Sequence, residues 1–137
     1  MPQSSAHFSK HELACKHCGE CFVEQDLLDA LEAFRAAVGS PVLIHSAYRC
    51  AQHNAAVGGK KNSQHVAGRA ADISVIGKTA RELKAIAETV PQIKGFGIDD
   101  HKDYLHIDVR ASEVACLWCY SEAGKTIPYY DDKQEAV

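Results

Sequence analysis

The chain has 137 residues, a formal net charge of -3 and 46% hydrophobic residues, which is enough apolar material for one domain with a sizeable core rather than two. The mild negative charge, with Lys60-Lys61 as the lone lysine pair, gives no basic patch and excludes nucleic acid as an expected partner. No apolar run reaches the roughly 20 residues that span a bilayer, so no membrane partner is expected either.

The opening stretch, "MPQSSAHFSKHEL", lacks the apolar segment of a signal peptide, and the expected location is the cytoplasm. Ser9 and Glu12 in "SKHE" form a capping box that starts a short helix, broken at "CKHCGEC". Residues 24–38 carry one apolar stripe, Leu27, Leu28, Leu31, Phe34 and Val38, and predict the clearest helix; Gly39 and Pro41 end it. "PVLIHSAYR" predicts a strand, "CAQHNAAV" a short helix closed by Gly58-Gly59, and "GGKKNS" a loop.

"RAADISV" predicts the next strand, with Ala71, Ile73 and Val75 on one face and Ala70, Asp72 and Ser74 on the other. "TARELKAIAETVP" predicts a second amphipathic helix with Thr79 and Glu82 as its capping box, a stripe of Leu83, Ile86, Ala87 and Val90, and Pro91 as the stop. "GFGIDDHKD" reads as a turn-rich connection. "YLHIDVR" alternates cleanly, Leu105, Ile107 and Val109 against Tyr104, His106, Asp108 and Arg110, and predicts a strand; "CLWCY" predicts another, with Leu117 and Trp118 in the core. The polar, acidic segment from Ser121 is expected to be loosely held. The element order predicts a single α+β domain over residues 1–137, core about 7–120. Its sheet would be small and mostly antiparallel, with helices packed on one side and the other side open.

Asp72, His106 and Asp108 would point to that open side. His65, Asp72 and His106 are ligand types for a first-row metal on segments that one sheet would bring together. Two imidazoles and a carboxylate suit Zn2+ and leave a fourth position for water, as a catalytic centre requires. The odd spacing from His65 to Asp72 would point them to opposite faces of a continuous strand, so a turn or bulge at Gly68 must re-aim His65. Taken alone, Asp72 also fits a solvated strand residue and His65 a satisfied side chain.

The motifs "SAYRC", "HN", "VGG", "NSQHVAGRAADI" and "YLHIDVR" occur in an order and spacing that resemble the M15 family of zinc peptidases, the D-Ala-D-Ala carboxypeptidase and phage endolysin group. The pattern S-x-H-x(6)-D with a later strand histidine falls on Ser63, His65, Asp72 and His106, and the likeness covers about residues 7–110. The resemblance implies an α+β fold shared with the signalling domain of Hedgehog proteins, a zinc cofactor and hydrolysis of peptidoglycan stem peptides at a bond involving a D-amino acid, as carboxypeptidase or endopeptidase. It implies zinc on His65, Asp72 and His106, a general base at Asp103, three residues before the last ligand, and a substrate-binding Arg49, with Ser63 near the site. Relatives more often have Glu at the position of Asp103 and Gly at that of Ala47.

Outside the resemblance, Asp108 is placed either to orient His106 or to pair with Arg110, and His101 is a reserve proton carrier. Cys15 and Cys18, with Cys116 and Cys119, could close a second, structural zinc site; a disulfide of Cys15 or Cys21 with Cys50 is the competing arrangement. The alternative to an enzyme is a non-catalytic zinc domain that binds wall peptides or a protein partner. A monomer is expected. A phage or prophage lysis enzyme, released to the wall through a partner pore, would fit the missing export signal, and so would a host cytoplasmic recycling peptidase.

Overall fold

The computed structural model describes residues 4–59 and 63–131. Its element order is α1 (Lys10–Leu13), α2 (Gln25–Val38), β1 (Leu43–Ser46), α3 (Ala51–Ala56), β2 (Ala70–Ser74), α4 (Ala80–Ala87), β3 (Gly95–Asp99), β4 (Tyr104–Asp108), β5 (Cys116–Tyr120) and β6 (Thr126–Pro128). Local signals place the helices where the pattern puts them. Ser9 and Thr79 each accept from the backbone of the glutamate three residues on, and that glutamate's side chain reaches back to the cap. Gly39 ends α2 in the left-handed conformation, at φ 69°.

All the described strands join one sheet in the order β1-β2-β4-β3-β5-β6. The pairs are antiparallel except β3 with β5, which is parallel, so the sheet is mixed rather than the mostly antiparallel one expected. β3 is the element behind this difference. Residues 95–99, read as a turn-rich connection, form a fully buried inner strand between β4 and β5. The two glycines that suggested turns serve a different purpose. A Cβ at Gly95 would lie 2.2 Å from the Asp108 carboxylate, and one at Gly97 would lie 2.5 Å from Trp118 Nε1. Both make room on the sheet for side chains from neighbouring strands.

One sheet face carries Ala71, Ile73, Phe96, Ile98, Leu105 and Ile107, all in the main apolar cluster with Leu27, Leu28, Leu31 and Phe34 of α2 and Leu83 of α4. The opposite face is the open one. It is not free of helix, because His53 of α3 and the following Val57 and Gly58 line a cleft above it. Residues 121–131, part of the segment expected to be loosely held, pair with the rest of the domain. β6 pairs with β5, the Tyr130 hydroxyl donates to Asp100, and Arg81 of α4 pairs bidentately with Asp100 and donates to the Tyr130 carbonyl. Residues 132–137, also part of that expectation, lie outside the described residues. Among the described residues, no helix is long and apolar enough to cross a membrane.

Candidate metal centre and cleft

Strand register assembles the floor of the cleft. Ser46, Asp72, His106, Gly97 and Trp118 follow one another across β1, β2, β4, β3 and β5 as direct partners. Their side chains therefore share one face, with Gly97 leaving a gap over which Trp118 and Tyr120 lean. His65 reaches the same place from outside the sheet. Gly68, at φ +73°, turns the chain just after it, and the Gly68 carbonyl accepts from Glu24 N at 2.9 Å. A side chain there would meet the Phe22 carbonyl at 2.1 Å, so glycine answers both the conformation and the close approach. Ser63 Oγ accepts from His65 N at 3.1 Å and stabilises the start of that turn.

His65, Asp72 and His106 converge, each offering one donor atom, with all three atoms within 4.8 Å of one another. His65 Nε2 is 3.3 Å and His106 Nδ1 is 3.1 Å from Asp72 Oδ1. Each imidazole is oriented through its other nitrogen. His65 Nδ1 lies 2.7 Å from the Ala47 carbonyl oxygen, and His106 Nε2 lies 2.7 Å from Asp108 Oδ2. A carbonyl can only accept, so His65 carries its proton on Nδ1 and turns the Nε2 lone pair to the centre. The Asp108 carboxylate likewise puts a proton on His106 Nε2 and leaves Nδ1 for a metal.

Asp108 is wholly buried and is itself held by Arg110, Nε to Oδ1 and Nη2 to Oδ2, both at 2.8 Å. The two expected uses of Asp108, orienting His106 and pairing with Arg110, thus operate together. Arg110 in turn lies over the Trp118 ring, 5.1 Å from its centroid.

The electrostatics favour a cation between these groups. Burial pushes His106 down, but Asp108 and Asp72 outweigh it and raise the imidazole to about 9. Burial pushes Asp72 up, but His65 and His106 hold it far below the usual carboxylate range. The same contest, with Arg110 and His106 winning, keeps Asp108 ionised. A proton fills the role in the metal-free chain. Two imidazole lone pairs and a carboxylate oxygen, preset by second hydrogen bonds, form a donor set that fits zinc and leaves an open position toward the cleft.

The cleft encloses about 760 Å³ and is walled by Arg49, His45, Tyr104, Trp118 and Tyr120, with Asp99 at one end. Burial pushes the Tyr120 phenol up to about 12, so it enters the cleft as a neutral hydroxyl. Arg49 lines the same space, and its buried Nε finds no hydrogen-bond partner among the described residues. Trp118, expected in the core, lines the cleft, as do Tyr120 and Asp99, which the sequence had not marked as site residues. Alternation along "CLWCY" could have revealed the first two, since Cys119 is fully buried in the core and its neighbours must face the other way.

Asp103, the expected base, is not among the residues lining the cleft. It adopts φ +54° and turns its carboxylate to the N-terminus of α4, where Oδ1 accepts from Ala80 N at 3.4 Å. Besides Asp72, the carboxylate lining the cleft is Asp99, held by backbone N–H groups of His101 and Lys102 at 3.0 Å. His101 is exposed and likewise off the cleft. One expectation is corrected, the grouping of the thiols. Cys116 and Cys119 sit on β5, Cys119 in the core beside Arg81, and do not join Cys15 and Cys18; the thiol that does is Cys50. None of the six cysteines is joined in a disulfide, and Cys21 is buried in the apolar cluster. Burial opposes ionisation of Cys15, but the Cys50, Cys18 and His17 backbone N–H groups and the Cys50 thiol lower it to about 6.

The family model for Peptidase M15 matches residues 6–108, a span that runs from the start of α1 through β4 and holds all three convergent ligands. The zinc D-Ala-D-Ala carboxypeptidase of Streptomyces albus G is 32% identical over 83 residues, 56% of this chain; the match spans 31% of that protein's length. Family match, ligand triad and open cleft agree: this chain belongs to the peptidase M15 family.

Proposed function

We propose that this chain is a zinc-dependent metallopeptidase that hydrolyses a peptide bond involving a D-amino acid in peptidoglycan stem peptides. The fold would be the one that this family shares with Hedgehog signalling domains. The observation that carries the reading is the triad of His65, Asp72 and His106, with both tautomers preset, at the floor of an open cleft that Arg49 also lines. The similarity to the Streptomyces albus G enzyme supports the substrate class.

Zinc on this set would supply a Lewis acid and lower the pKa of bound water toward about 7. The chain's own groups do the rest. Arg49 is suited to a substrate carboxylate or the carbonyl of the scissile bond, because its planar fork offers paired donors. Asp108 and Arg110 keep His106 from rotating away. Trp118 and Tyr120 wall the cleft, and the neutral Tyr120 hydroxyl can donate to a developing oxyanion. Asp99, the carboxylate in the cleft wall that the triad does not use, takes the proton from the attacking water; Asp103, directed at α4, steadies the helix instead.

The test is incubation of the zinc-loaded chain with purified muropeptides and mass analysis of the products, which also separates carboxypeptidase from endopeptidase cleavage. Asp99→Asn is expected to keep zinc and lose most turnover, whereas Asp103→Asn keeps turnover and loses stability. Wild-type turnover in Asp99→Asn, with loss in a stably folded, zinc-loaded Asp103→Asn, would return the base to Asp103. Muropeptide binding without any cleavage would leave a non-catalytic zinc domain.

A further inference from the structure

Cys15, Cys18 and Cys50 lie on two segments far apart in sequence, yet their sulfurs fall within 4.8 Å of one another. The local geometry is that of a metal-binding turn. "CKHCG" folds back on itself, with Gly19 N donating to the Cys15 carbonyl at 2.8 Å and Gly19 at φ +76°. The third thiol comes from the loop after β1, where Cys50 N donates to Cys15 Sγ at 3.4 Å and His53 N donates to Cys50 Sγ at 3.4 Å. N–H groups aimed at sulfur stabilise thiolate charge. His17 and His53 stack at the rim, ring centroids 6.0 Å apart, one from each segment.

We propose that Cys15, Cys18 and Cys50 form a second, structural zinc site, separate from the His65–Asp72–His106 centre. Tetrahedral zinc with Zn–S bonds of about 2.3 Å sets its sulfurs about 3.8 Å apart, a closure of an ångström or less from the present spread. Three soft thiolate donors favour Zn2+ over oxygen-seeking cations such as Mg2+ and Ca2+. The fourth ligand would be a water or an imidazole of the His17–His53 pair, which takes one ring from each of the two segments.

The site has a structural consequence. It clips the 15–19 turn to the segment that builds the cleft. Tyr48 N donates to the Leu13 carbonyl, the Ala47 carbonyl holds His65 Nδ1, and Arg49 N donates to the His65 carbonyl. Metal on the thiols would therefore brace the loop that presents Arg49 and orients His65.

The test uses the full chain, kept reduced and loaded with Zn2+ or Co2+. The wild type is expected to bind two metal equivalents, and its cobalt form to show sulfur-to-cobalt charge-transfer absorption in the near ultraviolet. The His65→Ala/Asp72→Ala variant is expected to keep one equivalent and that absorption. Cys18→Ser, at an exposed position that packing does not need, is expected to lose both, while Cys116→Ser changes neither. One equivalent in the reduced wild type with no sulfur-to-cobalt band would overturn the site. So would a band that survives in Cys18→Ser and vanishes in Cys116→Ser. Neither readout depends on peptidase activity, so failure here leaves the proposed reaction standing.

Discussion

Gly95 lies one strand away from the last metal ligand, yet its replacement by alanine should damage the metal centre. The added Cβ would sit 2.2 Å from Asp108 Oδ2 and 2.3 Å from Cγ and Oδ1. Ordinary contact begins near 3.4 Å, so one partner must retreat by roughly 1 Å. Asp108 has nowhere to go. It is wholly buried, with Oδ2 2.7 Å from His106 Nε2 and 2.8 Å from Arg110 Nη2. A shift of that size breaks the hydrogen bond that orients His106 or splays β3 from β4. Overpacking of this kind costs about 1–3 kcal/mol of stability. Disturbing the group that orients a ligand histidine lowers metal affinity about 10–100-fold, or about 1.4–2.8 kcal/mol. Chelator competition measures zinc affinity at the triad, on a Cys18→Ser background to isolate it, and urea denaturation measures stability. Asp108→Asn is the companion variant, expected to lose similar affinity with no added volume. Wild-type zinc affinity in both variants would refute the role assigned to Asp108.

Zinc binding at the triad should release about one proton at pH 7.5, because His106 sits at about 9 in the metal-free chain and must be neutral to ligate; calorimetry in buffers of different ionisation enthalpy reads this directly. The same group sets a stability trend for the metal-free chain. Its folded pKa is raised from 6.5, so its stabilisation is fully present below about 6.5 and is lost as pH rises through about 9; denaturation midpoints across that window check the sign. Arg81→Ala should cost about 1.5–3 kcal/mol by removing the bidentate cation of Asp100, whose bond from the Tyr130 hydroxyl remains. It should also expose the segment around Tyr130 to limited proteolysis, since Arg81 donates to the Tyr130 carbonyl.

What local patterns could carry, the sequence determined. Both capping boxes, the α2 stripe, the left-handed Gly39 and the alternation of β2 and β4 depend on residues within a few positions of one another, so their signals survive without tertiary context. The ligand triad spans distant segments and was legible through the family motif, while the turn demanded near Gly68 followed from strand parity.

Tertiary structure decided everything that turned on a distant neighbour. Gly95 and Gly97 look like turn residues until Asp108, Trp118 and Tyr120 arrive to fill the space they leave, and so an inner strand was taken for a loop. Asp103 keeps the motif's spacing, but its backbone conformation turns it toward α4, and no spacing rule reports that. Two C-x-x-C pairs suggested one four-thiol site. The fold separates them and supplies Cys50 from another loop, because cysteine pairing is set by which loops meet and not by which spacings match.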